Sequence, residues 1–323
     1  PQGAPRFMQP WHTVHAEHEF DIVHSTTPKA GLLSAIAARI SGAPIRLHTF
    51  TGQPWVTRTG VVRWLSRNSD RLIGKLNTHC YADSKSQRQF LIDEGLLAAE
   101  NISVIGEGSV AGVDVERFSK KRYSLDALNE VRKELGIGVA DKVIVFLGRV
   151  CVDKGIFDLI EAYKNLKVSC PDARLLVVGP LEAEEKDGVL LSEEFLQTVP
   201  GISRLGYTTE PEKIFAIAHC LCLPSYREGF GSVIMEAASI GVPAVASRIY
   251  GLTDAIVDNG TGLLVTPGNA NELQQALENI LKDENWRNKL GKNAQTRARE
   301  KFSSIRMNQL VIEEYQRLIE VNR

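Results

Sequence analysis

No apolar run in the 323 residues reaches the ~18 positions that a bilayer-spanning helix needs, so a transmembrane protein is not expected. The five cysteines, Cys80, Cys151, Cys170, Cys220 and Cys222, contain no C-x-x-C pair and no Cys/His grouping at zinc spacing. That excludes a zinc module and a disulfide framework, and it reads as reduced, mostly buried thiols of a cytosolic protein. An excess of charge is lacking as well. The 38 Lys and Arg nearly balance 39 Asp and Glu, leaving a formal net charge of -1, so the whole chain lacks the basic footprint of a nucleic-acid binder. The opening, Pro1 to Trp11, is polar and proline-rich and carries no signal peptide. There is no internal repeat and no low-complexity tract. What is present is globular: 43% hydrophobic and 24% charged residues exclude disorder, and the length suits two domains.

Strand and helix patterns alternate along the chain. In the first part, Phe20 to His24, Ile45 to Thr49, Cys80 to Ala82 and Ile102 to Ile105 read as strands. Between them, Pro28 to Ile40, Thr59 to Leu76 and Lys85 to Glu94 read as helices. Ser41-Gly42 is a stop signal for the first helix, and Asp83-Ser84 can cap the third. Residues 106 to 141, with Gly106, Gly108, Gly112 and a highly charged stretch from Phe118 to Tyr123, read as a joint that ends in a helix from Leu125 to Leu135. A cleaner series follows, with strands at Lys142 to Leu147, Ala173 to Val178, Ile202 to Leu205, Cys220 to Pro224, Ala244 to Ser247 and Gly262 to Val265. Helices are expected at Ile156 to Lys167, Glu210 to Ala218, Ser232 to Ile240 and Ala270 to Leu281. Strands apolar on both faces, such as Val143 to Leu147, suit a parallel sheet covered on each side by helices. The expected fold is therefore α/β, with two Rossmann-like, doubly wound parallel-sheet lobes facing a cleft. The first lobe covers 1–118, the second 119–302, and a C-terminal helix over 303–323 packs back on the first. Asp21-Ile22-Val23-His24 opens as if in the middle of an α/β unit, so the first lobe is expected to be incomplete.

Open α/β sheets bind ligands at the carboxyl ends of their strands. The loop Gly148 to Gly155 sits at one such end and holds two cations, Arg149 and Lys154. A guanidinium fork and an ammonium suit a diphosphate, although the same pair also reads as a solvated basic turn. The loop Tyr226-Arg227-Glu228-Gly229-Phe230-Gly231 precedes a helix starting at Ser232. Its glycines let backbone amides approach an anion at a helix N-terminus, but they equally suit a plain turn. Glu236 lies one turn into that helix among apolar neighbours, where a carboxylate needs either a cation or hydroxyl groups to bind, such as the two of a ribose.

Arg149 and Lys154 after a Gly-ended strand, followed by Glu228-Gly-Phe-Gly-x-x-x-x-Glu236, together resemble the retaining glycosyltransferases of family 4, which have the GT-B fold. The resemblance covers essentially the whole chain. Leu223 to Gly231, His48-Thr49 to Gly52 and Gly108 to Asp114 look like bacterial N-acetylhexosaminyltransferases of lipid-linked oligosaccharide, capsule or O-antigen assembly. The resemblance implies roles. Gly148, Arg149 and Lys154 would hold and neutralise the leaving diphosphate. Glu236 would bind the ribose, and Glu228 the hydroxyls of the donor sugar. Gly229, Phe230, Gly231 and Ser232 would hold sugar and phosphates, while Gly206 and Tyr207 would border the base. His48 would face the acceptor and reacting sugar, or else be a satisfied core histidine. The family's glycine-rich loop after its first strand is not found here, in keeping with the expectation of an incomplete first lobe.

The expected activity is transfer of a sugar, of N-acetylhexosamine type, from a UDP-sugar donor to a lipid-diphosphate-linked saccharide, with retention. No Asp-x-Asp tripeptide occurs, and the two cations plus a helix N-terminus supply the electrostatic work of a metal ion, so no metal and no cofactor beyond the donor is expected. Residues 44–90 hold eight Arg or Lys against two Asp, an excess of six. Arg63, Arg67, Arg71 and Lys75 form one helical stripe, with Trp64, Leu65, Leu72, Ile73 and Leu76 making up much of the other face. That pattern fits a cytoplasmic enzyme lying peripherally on an anionic inner membrane, and equally a core helix with a solvated basic side. Two other functions are compatible with the fold: a sugar-nucleotide epimerase or phosphorylase, and a non-catalytic nucleotide-binding subunit.

Overall fold

The computed structural model of the protein describes residues 20–322; the proline-rich opening, Pro1 to Trp11, lies outside the described residues. The chain forms two compact units. Among the described residues the first holds those up to Ala111, with Arg227–Phe230 and those from Ile305 on, and the second holds Gly112–Tyr226 and Gly231–Ser304.

The first unit runs β1 (Ile22–Ser25), α1 (Pro28–Ile40), β2 (Ile45–Phe50), α2 (Gly60–Leu76), β3 (His79–Ala82), α3 (Lys85–Asp93) and β4 (Ile102–Ser103). Pro28 sits at the start of α1, where its missing N–H costs nothing. Ser84 caps α3 by accepting from the Gln87 amide at 3.1 Å. The four strands pair in parallel in chain order, β1-β2-β3-β4, with Ile22 opposite Ile45 and Leu47 opposite His79. Side chains alternate across the sheet. Phe50, Cys80, Ala82 and Ile102 join Ile73 of α2 and Leu91 of α3 in one core. Ile45, Leu47 and Tyr81 meet Met307 and Leu318 of the C-terminal helix, Ser304–Val321, in another. The strand-order reversal of a doubly wound sheet is thus not present among the described residues of this unit.

The basic stripe of α2 is divided, with Arg63 and Lys75 exposed and Arg67 and Arg71 half-buried. Val61, Trp64, Leu65 and Leu72 are 72, 65, 56 and 41% exposed, while Asp70 and Ile73 are buried. Arg67 pairs with Glu94 at 3.3 Å and donates to the Glu94 carbonyl, and Arg71 donates to the Gly95 carbonyl at 3.1 Å. The reading of this helix as a core helix with a solvated basic side did not anticipate that its apolar side would point outward. The reason is tertiary: the carbonyls at the end of α3 and the indole of Trp55, whose Nε1 donates to Asp70 at 2.7 Å, give the polar side its partners.

The second unit runs α4 (Leu125–Glu134), β5 (Lys142–Leu147), α5 (Ile156–Ser169), β6 (Ala173–Val178), a hairpin of β7 (Glu185–Lys186) and β8 (Val189–Leu190), α6 (Glu193–Gln197), β9 (Ile202–Leu205), α7 (Pro211–Ile217), β10 (Cys220–Leu223), α8 (Ser232–Ile240), β11 (Ala244–Ser247), α9 (Leu252–Ala255), β12 (Gly262–Val265), α10 (Ala270–Lys282) and α11 (Glu284–Lys301). Its six-stranded parallel sheet has the order β12-β11-β10-β5-β6-β9. The chain builds outward from β5 to β9 and then returns to the other side of β5 at β10, so the strand order reverses between β5 and β10. Val143 to Phe146 are wholly buried, as strands apolar on both faces must be in a covered sheet. The 18-residue α11 was not evident from the sequence. Its buried residues are Leu290, Gly291, Ala294 and Ala298, so the periodic signal of large apolar residues is missing. Small residues there let α11 lie close to α8, and a Cβ on Gly291 would overlap the Gly241 carbonyl oxygen.

Candidate active site

Strands β5 and β10 are neighbours, with Cys220 opposite Ile144 and Leu221 opposite Val145. Their carboxyl ends open into the loops at 148–155 and 224–231, on either side of the point where strand order reverses. A crevice at such a point is the general ligand position of open α/β sheets. The two loops are joined: the Tyr226 amide donates to the Asp153 carbonyl at 2.9 Å. The first loop also stays attached to the chain following β6. The Val150 amide donates to the Pro180 carbonyl at 2.8 Å, the Glu182 amide to the Val150 carbonyl at 3.0 Å, and the Val152 amide to the Glu184 carboxylate at 2.7 Å. This pairing sets the direction of Arg149. Its guanidinium contacts both oxygens of Glu182 at 2.8 Å, and the carboxylate raises its pKa further. The pair is exposed on both sides, so it is worth no more than about 1 kcal/mol and is readily exchanged for a more highly charged anion.

Of the residues singled out from the sequence, Gly148, Arg149, Lys154, Gly206, Tyr207, Gly231, Ser232 and Glu236 belong to the second unit. Lys154 closes a short turn, Val152–Lys154, immediately before α5. Gly206 follows β9, and its carbonyl accepts from the Gly179 amide at 3.1 Å. Tyr207 is 79% exposed, which leaves its ring available for stacking. Gly231, in the left-handed region at φ 77°, starts α8, and Ser232 is the first helical residue. The opening amides of a helix have no intrahelical partner and carry partial positive charge.

Glu236 is half-buried on α8. Burial pushes its pKa up to about 7, with Arg117 opposing and Glu212 reinforcing the shift. Arg117 and Glu212 escaped the sequence reading. The Arg117 guanidinium donates to Glu212 at 2.9 and 3.1 Å and to the Thr209 carbonyl at 2.6 Å, so its hydrogen bonds do not go to Glu236. The carboxylate is therefore desolvated but incompletely compensated, the state in which a pair of ligand hydroxyls is most welcome. Arg117 and Glu212 lie 95 residues apart, and no local pattern links them. Glu182 did have a signal: it follows β6, the neighbour of β5, just past a Gly-ended strand.

His48, Glu228, Gly229 and Phe230 belong to the first unit. Gly229 lies so close to Thr51 that a Cβ would overlap the Thr51 carbonyl oxygen, so this motif glycine is required by packing. Phe230 is buried and Glu228 half-buried. His48 is 1% exposed. Its Nδ1 lies 2.9 Å from the Ser25 hydroxyl, its ring meets Phe50 edge-on at 4.6 Å, and burial lowers its pKa to about 4. The geometry is that of a neutral, satisfied core histidine, not of a ring open to an acceptor.

Residues 129–297 match the family of glycosyl transferases group 1. The chain belongs to the group 1 glycosyl transferases. Among its relatives, the capsular polysaccharide biosynthesis glycosyltransferase CapM of Staphylococcus aureus is 31% identical over 294 residues, 90% of this chain and 74% of CapM. The UDP-Gal:alpha-D-GlcNAc-diphosphoundecaprenol alpha-1,3-galactosyltransferase of Escherichia coli is 26% identical over 290 residues, 85% of this chain and 71% of that enzyme. In fold, this group 1 transferase is similar to Alr3699/HepE of Anabaena, solved with UDP, at a TM-score of 0.79 and 23% identity over 96% of this chain and 81% of that one. The architecture is α/β of GT-B type. The matched segment contains β5, β10, α8 and the loops carrying Arg149, Lys154 and Glu236; His48 lies outside it.

Proposed function

We propose that this group 1 transferase moves a sugar of N-acetylhexosamine type from a UDP-sugar to a lipid-diphosphate-linked saccharide, in capsule or O-antigen assembly at the cytoplasmic face of a membrane. The reaction retains anomeric configuration and needs no metal ion. The observation that carries the reading is the second unit's switch point, where two cations on the loop after β5 accompany the desolvated Glu236 on the helix that follows β10. Relatives lend support: Alr3699/HepE is solved with UDP-glucose, and the Escherichia coli enzyme's name carries a diphosphoundecaprenol acceptor.

On this reading the donor diphosphate takes Arg149 from Glu182 and shares its charge with Lys154 and the amides opening α8. Glu236 accepts from the ribose hydroxyls, Tyr207 borders the base, and Glu228 contacts the sugar. The acceptor oxygen bonds to the anomeric carbon on the face from which the diphosphate departs, and the acceptor proton passes to a leaving phosphate oxygen. No covalent glycosyl-enzyme forms; a sugar adduct on Glu228 detected by mass spectrometry would overturn this step.

The donor site is tested by calorimetry of UDP and GDP with EDTA present. UDP is expected to bind in preference to GDP. Arg149→Ala and Lys154→Ala should each weaken it about ten-fold or more, the worth of a charge-assisted hydrogen bond. Glu182→Gln should tighten it by freeing Arg149. Absence of UDP binding from a chain that still melts cooperatively would sink the reading.

A further inference from the structure

We infer that the second unit carries a further anion site, built for a small phosphate-bearing ligand, at the amino end of its parallel sheet. A cavity of about 320 Å³ lies there. His219, just before β10, lines it together with Gly241, Val242 and Pro243, just before β11. Arg132 of α4 and Arg287 of α11 complete the wall. The loop at 148–155 and the start of α8 lie at the carboxyl end of the same sheet. The six residues of β5 span about 20 Å at the usual rise of a strand, so the two places are separate. The inference goes beyond the donor-site reading and does not rest on it, because no lining residue of this cavity takes part in that reading.

The charge of the lining selects the ligand. Lys120, Arg132 and Arg287 face one carboxylate, Glu284. Lys120 comes from the charged stretch Phe118 to Tyr123, which the donor site leaves unused. Arg132 donates to the carbonyls of Gly138 at 2.9 Å and of Asp141 and Ile217 at 3.2 Å. Arg287 donates to those of Ile280 at 3.1 Å and Leu281 at 3.4 Å. Both arginines thereby cap helix ends, but a carbonyl holds a guanidinium in place without cancelling its charge, and each has five N–H donors. Glu284 stays 3.9 Å from Arg287, with its side chain 75% exposed, a weak pairing. The Val143 amide donates to His219 Nδ1 at 3.0 Å, so the neutral ring carries its proton on Nε2 and is itself a donor. Burial, followed by Arg287, Arg132, Lys120 and Lys142, lowers the pKa of this ring to about 4, a sign of the positive field around it. Three cations and a fixed N–H exceed what a carboxylate needs; they suit the double charge and three oxygens of a phosphate monoester. The volume is at the lower end for small-molecule pockets, about 300 Å³, and Leu125, Leu128 and Ile240 supply an apolar wall for the remainder of a small ligand.

The test is a titration of the whole chain with inorganic phosphate, in excess UDP and at an ionic strength fixed with chloride. The Cε1 proton of His219, assigned by its loss in His219→Gln, is followed by NMR. Phosphate should shift this resonance saturably, and acetate at the same concentrations should not. Lys120→Glu should weaken phosphate about ten-fold or more, with melting midpoint and UDP affinity unchanged because Lys120 is exposed and lies outside the donor loops. Arg149→Ala should leave the phosphate response as in wild type. A response that is absent or does not saturate, that acetate matches, that Lys120→Glu leaves intact or that Arg149→Ala removes would each overturn the proposal. A UDP titration of the same samples keeps its failure distinct from failure of the donor site.

Discussion

Glu236→Gln is expected to weaken UDP binding at pH 8 by about ten-fold or more, the loss of charge from two hydroxyl contacts, and by much less at pH 6. The difference follows from the carboxyl's pKa of about 7, raised chiefly by burial. At pH 6 the wild-type group is largely protonated and resembles the amide; at pH 8 it is ionised and accepts strongly. Wild-type affinity attributable to this residue therefore rises with pH through about 7. The terminal phosphate of UDP also titrates, with a pKa of about 6 as phosphate monoesters do, so the slope is read as the wild-type value minus the variant's, by calorimetry across the range. A difference independent of pH would remove Glu236 from the ribose contact. A second readout has the opposite sign. A carboxyl whose pKa is raised on folding contributes stability below its unfolded pKa and loses it as pH rises through the folded value. Glutamine cannot ionise, so the variant without ligand should melt higher than wild type at pH 8 and close to it at pH 5. Binding lost while stability is gained is the signature of a group kept for ligand rather than for the fold.

Gly179→Ala should cost about 3 kcal/mol, from the left-handed backbone together with overpacking. Gly179 follows β6 at φ 127°, and a Cβ there would overlap the carbonyl oxygen of Gly148 at the end of β5. The atoms that the Cβ would meet are all backbone atoms of Gly148, so relief requires the ends of β5 and β6 to separate. That separation moves Arg149 and breaks the bonds from the chain after β6 that hold its loop. Urea denaturation should show a lower midpoint at unchanged slope, and UDP affinity should fall alongside it. A variant that melts as wild type and binds UDP normally would mean that the two strand ends yield at no cost, contrary to this packing.

Much of this was written locally. The span Val143 to Phe146, apolar on both faces, required a covered parallel strand, and glycines after Leu147, Val178 and Leu205 marked where each strand hands over to a loop. From such marks Arg149, Lys154 and Glu236 could be placed near strand ends. Partners could not be read. Glu182 lies 33 residues from Arg149 and reaches it only because β5 and β6 are neighbours in register, with Leu147 opposite Val178. The helix α11 stayed hidden because a seam of Gly291, Ala294 and Ala298 has no hydrophobic signature. The burial of His48 was decided by the serine and helix packed on it, since a histidine at a strand end reads alike as ligand or core.

By itself the sequence determined the α/β class, the strands, and the loops that carry cations and glycines, because alternation, caps and turns act within a few residues. Only the tertiary structure decided which strands became neighbours, which carboxylate holds Arg149, how far burial raises Glu236, and that α2 turns its apolar side outward. Those outcomes depend on desolvation and on hydrogen-bond partners supplied from distant chain. Trp55 and the carbonyls of Glu94 and Gly95 satisfy the polar side of α2, and no pattern within a single helix can encode that.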